Sequence, residues 1–202
     1  MVRLTSTASY FTMPAATKGV YTIVNNIETS SEKQFKLTVN SEDIIKNEVN
    51  WSYKLGDVVP TENEISVTDG TTEKTFTIKA GTTGKLVITV ESGTAKTTLE
   101  VKLVKPVSVS LESKTTGFTF TENPNPGVTD PKYTINVKKG NKFTLAAKTN
   151  PEKGYVTWVS SDTKVATVSN GNFEIKGAPE STATITVKYG DQEVKVLITV
   201  TE

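Results

Sequence analysis

The stretch from residue 75 to residue 105, TFTIKAGTTGKLVITVESGTAKTTLEVKLVK, lies over the stretch from 172 to 202, NFEIKGAPESTATITVKYGDQEVKVLITVTE, without a gap at a constant offset of 97 residues. Phe76 meets Phe173, Ile78 meets Ile175, Lys79 meets Lys176, Ile88 meets Ile185 and Val90 meets Val187. The closing apolar triplets Leu99-Val101-Leu103 and Val196-Ile198-Val200 also coincide. Agreement over that length means one supersecondary design used twice. Upstream, Trp51 corresponds to Trp158 and Phe35 to Phe143, so the first copy carries about ten extra residues between its tryptophan and Phe76, which belong in loops. Tyr21-Thr22-Ile23 echoes Tyr133-Thr134-Ile135, which carries the correspondence back to the first strands. The boundary is expected near Lys105-Pro106, giving domains 1–105 and 106–202, each long enough to bury its own core.

Both copies read as strands. From Gln34 onward short period-two alternation, rich in Val, Ile, Thr, Phe and Tyr, is broken every few residues by Gly, Asn, Asp or Pro. In Phe35-Lys36-Leu37-Thr38-Val39 and Val49-Asn50-Trp51-Ser52-Tyr53 the apolar side chains share one face. Leu86-Ile88-Val90, Leu99-Val101-Leu103, Ala183-Ile185-Val187 and Val194-Val196-Ile198-Val200 repeat the pattern. Ser92-Gly93, Gly190-Asp191, Asp69-Gly70 and Asn170-Gly171 supply the flexible or left-handed backbone of tight hairpins. The expectation is an all-β protein of two tandem sandwich domains.

Composition narrows the function classes. The 23 Lys and Arg balance 22 Asp and Glu with no long block of either sign, so nucleic acid is not an expected partner. The chain has no cysteine and no histidine, which removes disulfides, thiolate and imidazole zinc sites, and Ser-His-Asp or Cys-His catalysis. No run of 18 apolar residues occurs, so no membrane insertion is expected. Thr5, Ser6, Thr7, Ser9 and Thr12 interrupt every apolar stretch near Met1, and no signal-peptide core is visible. The reading is therefore not an enzyme, with no catalytic residue, no cofactor and no metal.

The run YVTWVSSDTKVATVSNGNFEIKG at 155–177, followed by STATITV at 181–187, resembles the group 2 bacterial immunoglobulin-like family, and the pattern extends from Val107 to Val200. The resemblance implies that Trp158 sits between two sheets, that Ser160-Ser161-Asp162 turns the chain and that Val165-Ala166-Thr167-Val168 is a strand. It makes both domains immunoglobulin-like β-sandwiches without a disulfide, the first through the internal repeat. The second copy departs from the family where Pro179-Glu180-Ser181 replaces the usual glycine, and in an insertion at 112–132. The family is widespread on bacterial surface proteins and in bacteriophage virion proteins, which marks adhesion or scaffolding without naming a ligand.

Candidate sites follow from exposure and composition. Trp51 and Trp158 suit sugar-stacking platforms, but their equivalent places on alternating strands favour buried core, and Tyr53 and Tyr155 lie near those strands. Glu122, Asp130, Glu152 and Asp162 lack calcium-loop spacing and read as solvated loop acids. The stretch 122–131 holds three prolines and one glycine, resists regular strands and is the candidate contact loop, through Asn123, Asn125 and Val128. Residues 1–19 offer Tyr10, Phe11 and Met13 either as an arm docking on a neighbouring subunit or as part of the first strand region of their own domain.

The expected function is a non-enzymatic structural or binding protein. The setting that unites the features is a bacteriophage virion accessory protein, a capsid decoration or head-fibre subunit assembled in the host cytoplasm as a complete product from Met1. Its partners are other virion proteins such as the major capsid protein, in many copies on a symmetric assembly, with cell-surface glycans as a further ligand class. The alternative is an immunoglobulin-like spacer or adhesion fragment of a secreted bacterial surface or S-layer protein, placed at the cell surface.

Overall fold

The computed structural model describes residues 2–8, 10, 13–40, 48–116, 118–123, 126–127 and 130–202. The chain divides into two compact units, Met1–Pro106 with Lys153–Tyr155, and Val107–Glu152 with Val156–Glu202. Period-two patterning gives strands throughout, and among the described residues no helix forms.

In the first unit β1 (Leu4–Ser6), β4 (Lys33–Val39), β7 (Glu73–Ile78) and β6 (Ile65–Thr68) form one sheet in that order. The facing sheet runs β2 (Val20–Thr22), β9 (Ala95–Val104), β8 (Gly84–Ser92) and β5 (Asn50–Leu55), with β3 (Ile27–Glu28) also paired to β9. The second unit repeats the plan. Its sheets are β10 (Ser108–Ser113), β13 (Lys142–Asn150), β16 (Asn172–Ile175) and β15 (Ala166–Ser169), then β11 (Thr121–Glu122), β12 (Tyr133–Lys138), β18 (Gln192–Thr201), β17 (Thr182–Tyr189) and β14 (Thr157–Ser160). Each unit is a two-sheet immunoglobulin-like β-sandwich. Among the described residues the strand-to-strand pairings are antiparallel except β2 and β3 with β9, and β12 with β18.

The residues that alternate in the sequence alternate in burial. Leu86, Ile88, Val90 and Leu99 are fully buried, as are Ile185, Val187, Val196 and Ile198. Phe35 stands opposite Phe76 on adjacent strands, their rings stacked at 5.4 Å and 16°. Phe143 and Phe173 reproduce the pair at 4.6 Å and 11°. From the opposite sheet Trp51 meets Phe76 at 6.5 Å, and Trp158 meets Phe173 edge-on at 5.9 Å. Both tryptophans face the core yet remain half-buried, which corrects the expectation of full burial. The cause is topological: β5 and β14 are edge strands, so no further strand covers the outer flank of either indole. Tyr53 is half-buried edge-on to Phe76 at 5.7 Å, and Tyr155 is exposed.

The N-terminal segment belongs to its own domain. Leu4 pairs with Val39 as Leu111 pairs with Ala147, and in each unit that leucine's N–H donates to a tyrosine hydroxyl 3.3 Å away, Tyr21 or Tyr133. Residues 4–6 thus occupy the place of 111–113 in the second copy.

Turn chemistry is met at three hairpins. Ser92 pairs with Ala95 across Gly93-Thr94, Tyr189 with Gln192 across Gly190-Asp191, and Ser169 with Asn172 across Asn170-Gly171, where both turn residues have positive φ as a type I′ turn requires. Asp69-Gly70 differs. Pairing there resumes only from Thr68 to Thr75, and Gly70 is not left-handed; a Cβ on it would meet the Glu73 carbonyl at 2.6 Å. The β6–β7 connection is therefore four residues longer than its counterpart. The rest of the extra length falls between Trp51 and Val67, where β5 continues to Leu55 and turns so that the Leu55 N–H reaches the Val58 carbonyl at 2.9 Å.

Removing the shared hydroxyl contact tests the equivalence of the two units. Tyr21→Phe and Tyr133→Phe are each expected to cost about 1 kcal/mol, and Phe76→Ala and Phe173→Ala about 3–5 kcal/mol, in urea denaturation.

Candidate functional site

The segment that most distinguishes the two units is the insertion. Glu112 and Ser113 are still part of β10, so the added chain begins at Lys114 rather than at 112. Its N-terminal half is anchored. The Lys114 N–H donates to the Thr144 carbonyl at 3.0 Å, and the Thr144 N–H to the Thr115 hydroxyl at 2.9 Å. Phe118 stacks on Phe143 at 4.2 Å, extending the Phe143–Phe173 column, and Phe120 meets Tyr133 edge-on at 4.8 Å. Both are half-buried.

The chain then turns back as a hairpin. Thr121 and Glu122 pair with Thr134 and Tyr133, which adds an edge strand outside β12. Of the stretch 122–131 read as extended loop, Glu122 thus joins a short edge strand, and the other described residues are loop as expected. The pairing continues through the Asn123 N–H to the Lys132 carbonyl at 2.7 Å, and Lys132 binds Glu122 at 3.2 Å. At the tip the Asp130 N–H donates to the Gly127 carbonyl at 3.1 Å, while the Gly127 N–H donates to the Asp130 carboxylate at 3.2 Å. Pro126, Gly127, Asp130 and Lys132 face Val109 and Val194 across a depression of about 290 Å³.

Asn123 therefore sits exposed at the foot of this hairpin. Asn125 and Val128 lie outside the described residues, as does Phe11. Tyr10 and Met13 pack half-buried against the core of the first unit, and burial pushes the Tyr10 phenol up. Phe118 and Phe120 carry the anchoring and were passed over in the sequence. Their signal was the alternation Phe118-Thr119-Phe120-Thr121, which has the period of a strand.

The acids are dispersed. Glu122 is held by Lys132, Asp130 closes the hairpin tip, and Asp162 accepts the Lys164 N–H at 2.8 Å. Among the described residues no three potential metal ligands come together. Among the described residues, the carboxylates that are shifted all move down. Lys114 and then Lys148 lower Glu112, Lys142 and Lys176 lower Glu174, and Lys188 and Lys195 lower Glu193, in each case chiefly through hydrogen bonds to the charged form. The Thr61 N–H and hydroxyl do the same for Glu64.

Residues 125–200 match the family described as Bacterial Ig-like domain (group 2). No curated protein matches the chain. Among solved structures it is similar to the C-terminal 282-residue fragment of intimin in complex with the intimin-binding domain of the translocated intimin receptor, at 18% identity over 85% of this chain and 58% of that one, TM-score 0.34. It is also similar to the N-terminal eight Ig domains of Down syndrome cell adhesion molecule, at 12% identity over 100% and 25% of the two chains, TM-score 0.35. The M1 domain from titin matches at 9% identity over 43% of this chain and 90% of that one, TM-score 0.34.

Two outcomes are expected. Phe118→Ala should cost about 1–3 kcal/mol in urea denaturation of the second unit and loosen hydrogen-exchange protection at Thr134. The folded pKa values of Glu112, Glu174 and Glu193 lie below the ordinary 4.5, so their stabilisation is present above that pH and is lost as pH falls through the folded values. The urea midpoint should fall on acidification, less steeply in high salt because these pairs are exposed, and Glu112→Gln should remove part of the slope.

Proposed function

We propose that this chain is a non-catalytic structural and binding protein of a bacteriophage particle, a capsid decoration or head-fibre subunit that attaches through the hairpin of residues 114–132. The observation that carries the reading is the anchoring of that hairpin. Phe118 and Phe120 dock its base on the domain's aromatic core, so the proline-rich tip is presented on a rigid support at a sheet edge. Many copies on a symmetric shell multiply a weak contact into avidity. The partner in this reading is the major capsid protein.

The electrostatics support a non-catalytic role. Each shifted carboxyl among the described residues is held in its charged form by lysines or threonine, whereas general acid catalysis near neutrality calls for a carboxyl pushed up. The absence of cysteine lets the fold mature in a reducing cytoplasm, where virions assemble.

Mass spectrometry of purified phage particles, and separately of the host envelope, tests the setting. Stoichiometric peptides in virions are expected; peptides found only in the envelope, within a longer polypeptide, would make the domains surface-protein spacers or adhesion modules. Replacing 124–130 with Asn-Gly while keeping both phenylalanines should leave both unfolding transitions in place and abolish attachment to the shell. Unchanged attachment would exclude the hairpin as the contact.

A further inference from the structure

We infer that the first domain carries a binding site for a neutral saccharide beside Trp51, and the internal repeat supplies the comparison that points to it. In the second domain the two-residue turn Asn170-Gly171 closes directly on the equivalent tryptophan. A Cβ on Gly171 would lie 3.4 Å from the Trp158 ring and 2.1 Å from the Leu145 carbonyl, so that turn fills the space next to the indole. In the first domain the same connection is four residues longer, and a depression of about 460 Å³ lies beside Trp51, walled by Val49, Asn50, Asp69, Thr71 and Lys74. That volume is within the range of small-ligand sites.

The indole is held in place. Its Nε1–H donates to the Thr71 carbonyl at 3.1 Å, and Phe76 backs it at 6.5 Å. The ring belongs to an edge strand and is half-buried, so it joins a fixed apolar surface to a wet rim. The rim offers the Asp69 carboxylate and the Lys74 ammonium, ion-paired with each other. A pyranose matches this combination, with a C–H face for the indole and hydroxyls that both donate and accept for the ion pair.

Charge selects the class of saccharide. Asp69 and Lys74 cancel, and the carboxylate is the more exposed partner, 84% against 15%. A sialylated glycan or a nucleotide phosphate would meet that carboxylate first, so the site takes an uncharged sugar. The inference does not depend on the hairpin or on which particle or envelope carries the chain.

The two tryptophans give two indole N–H resonances, assigned with Trp158→Phe or, if that variant misfolds, Trp51→Phe. The full chain is titrated with chitohexaose, maltohexaose and, as the anionic control, 3′-sialyllactose, each to on the order of 10 mM. The expected result is a saturable shift of the Trp51 indole with one of the neutral oligosaccharides, with Trp158 unmoved. Asp69→Ala, an exposed substitution in the β6–β7 connection, should then weaken binding about tenfold through loss of its hydrogen bonds. No Trp51 shift with either neutral oligosaccharide, equal shifts at both indoles, or a stronger response to the sialylated sugar would overturn the inference.

Discussion

Neither sandwich has a disulfide between its sheets, so the contact of one indole from one sheet with a phenylalanine pair on the other helps hold the layers in place. The pair exists because Phe35 and Phe76 stand directly opposite each other across β4 and β7, and Phe143 and Phe173 across β13 and β16. A register slip of one residue would turn each phenylalanine to solvent, so the aromatic contact and the strand register enforce each other. An inter-sheet disulfide commonly contributes about 2–4 kcal/mol to a small domain. Here that stabilisation has to come from aromatic packing and from the aliphatic rows of β8, β9, β17 and β18, which are almost completely buried.

With the core reproduced in both domains, their differences fall where the fold tolerates them. The first domain lengthens the β6–β7 connection and the turn after β5; the second adds the β11 hairpin outside β12. Each change alters a sheet edge or a loop and leaves the aromatic centre intact, and it is on such additions that function is grafted. The hairpin also pairs the first two residues of β12 on an edge that would otherwise offer free backbone groups to other chains.

The strands and their repeat were legible because two hairpins separated by a constant 97 residues keep every inward side chain in phase. Half-burial of Trp51 and Trp158 was not legible, because alternation tells which face a residue occupies and says nothing of whether its strand is central or terminal. Asp69-Gly70 looked like a tight turn from composition alone; the number of residues before pairing resumes decides the turn, and that depends on long-range register. The insertion is legible as a departure from the family pattern, and its prolines mark the tip, whereas nothing local marks Phe118 and Phe120 as its anchors. Anchoring depended on Phe143 and Tyr133, distant in sequence and adjacent in space.

The parallel pairing near each end of a domain has a mechanical meaning. In the second domain Tyr133–Lys138 runs beside Val196–Thr201 in the same direction, so tension drawn along the chain shears the whole ladder at once instead of unzipping it bond by bond. The first domain divides the corresponding ladder into β2 and β3, with three and two paired positions. A load on the second domain therefore meets one continuous ladder, whereas in the first it meets two shorter runs separated by a break.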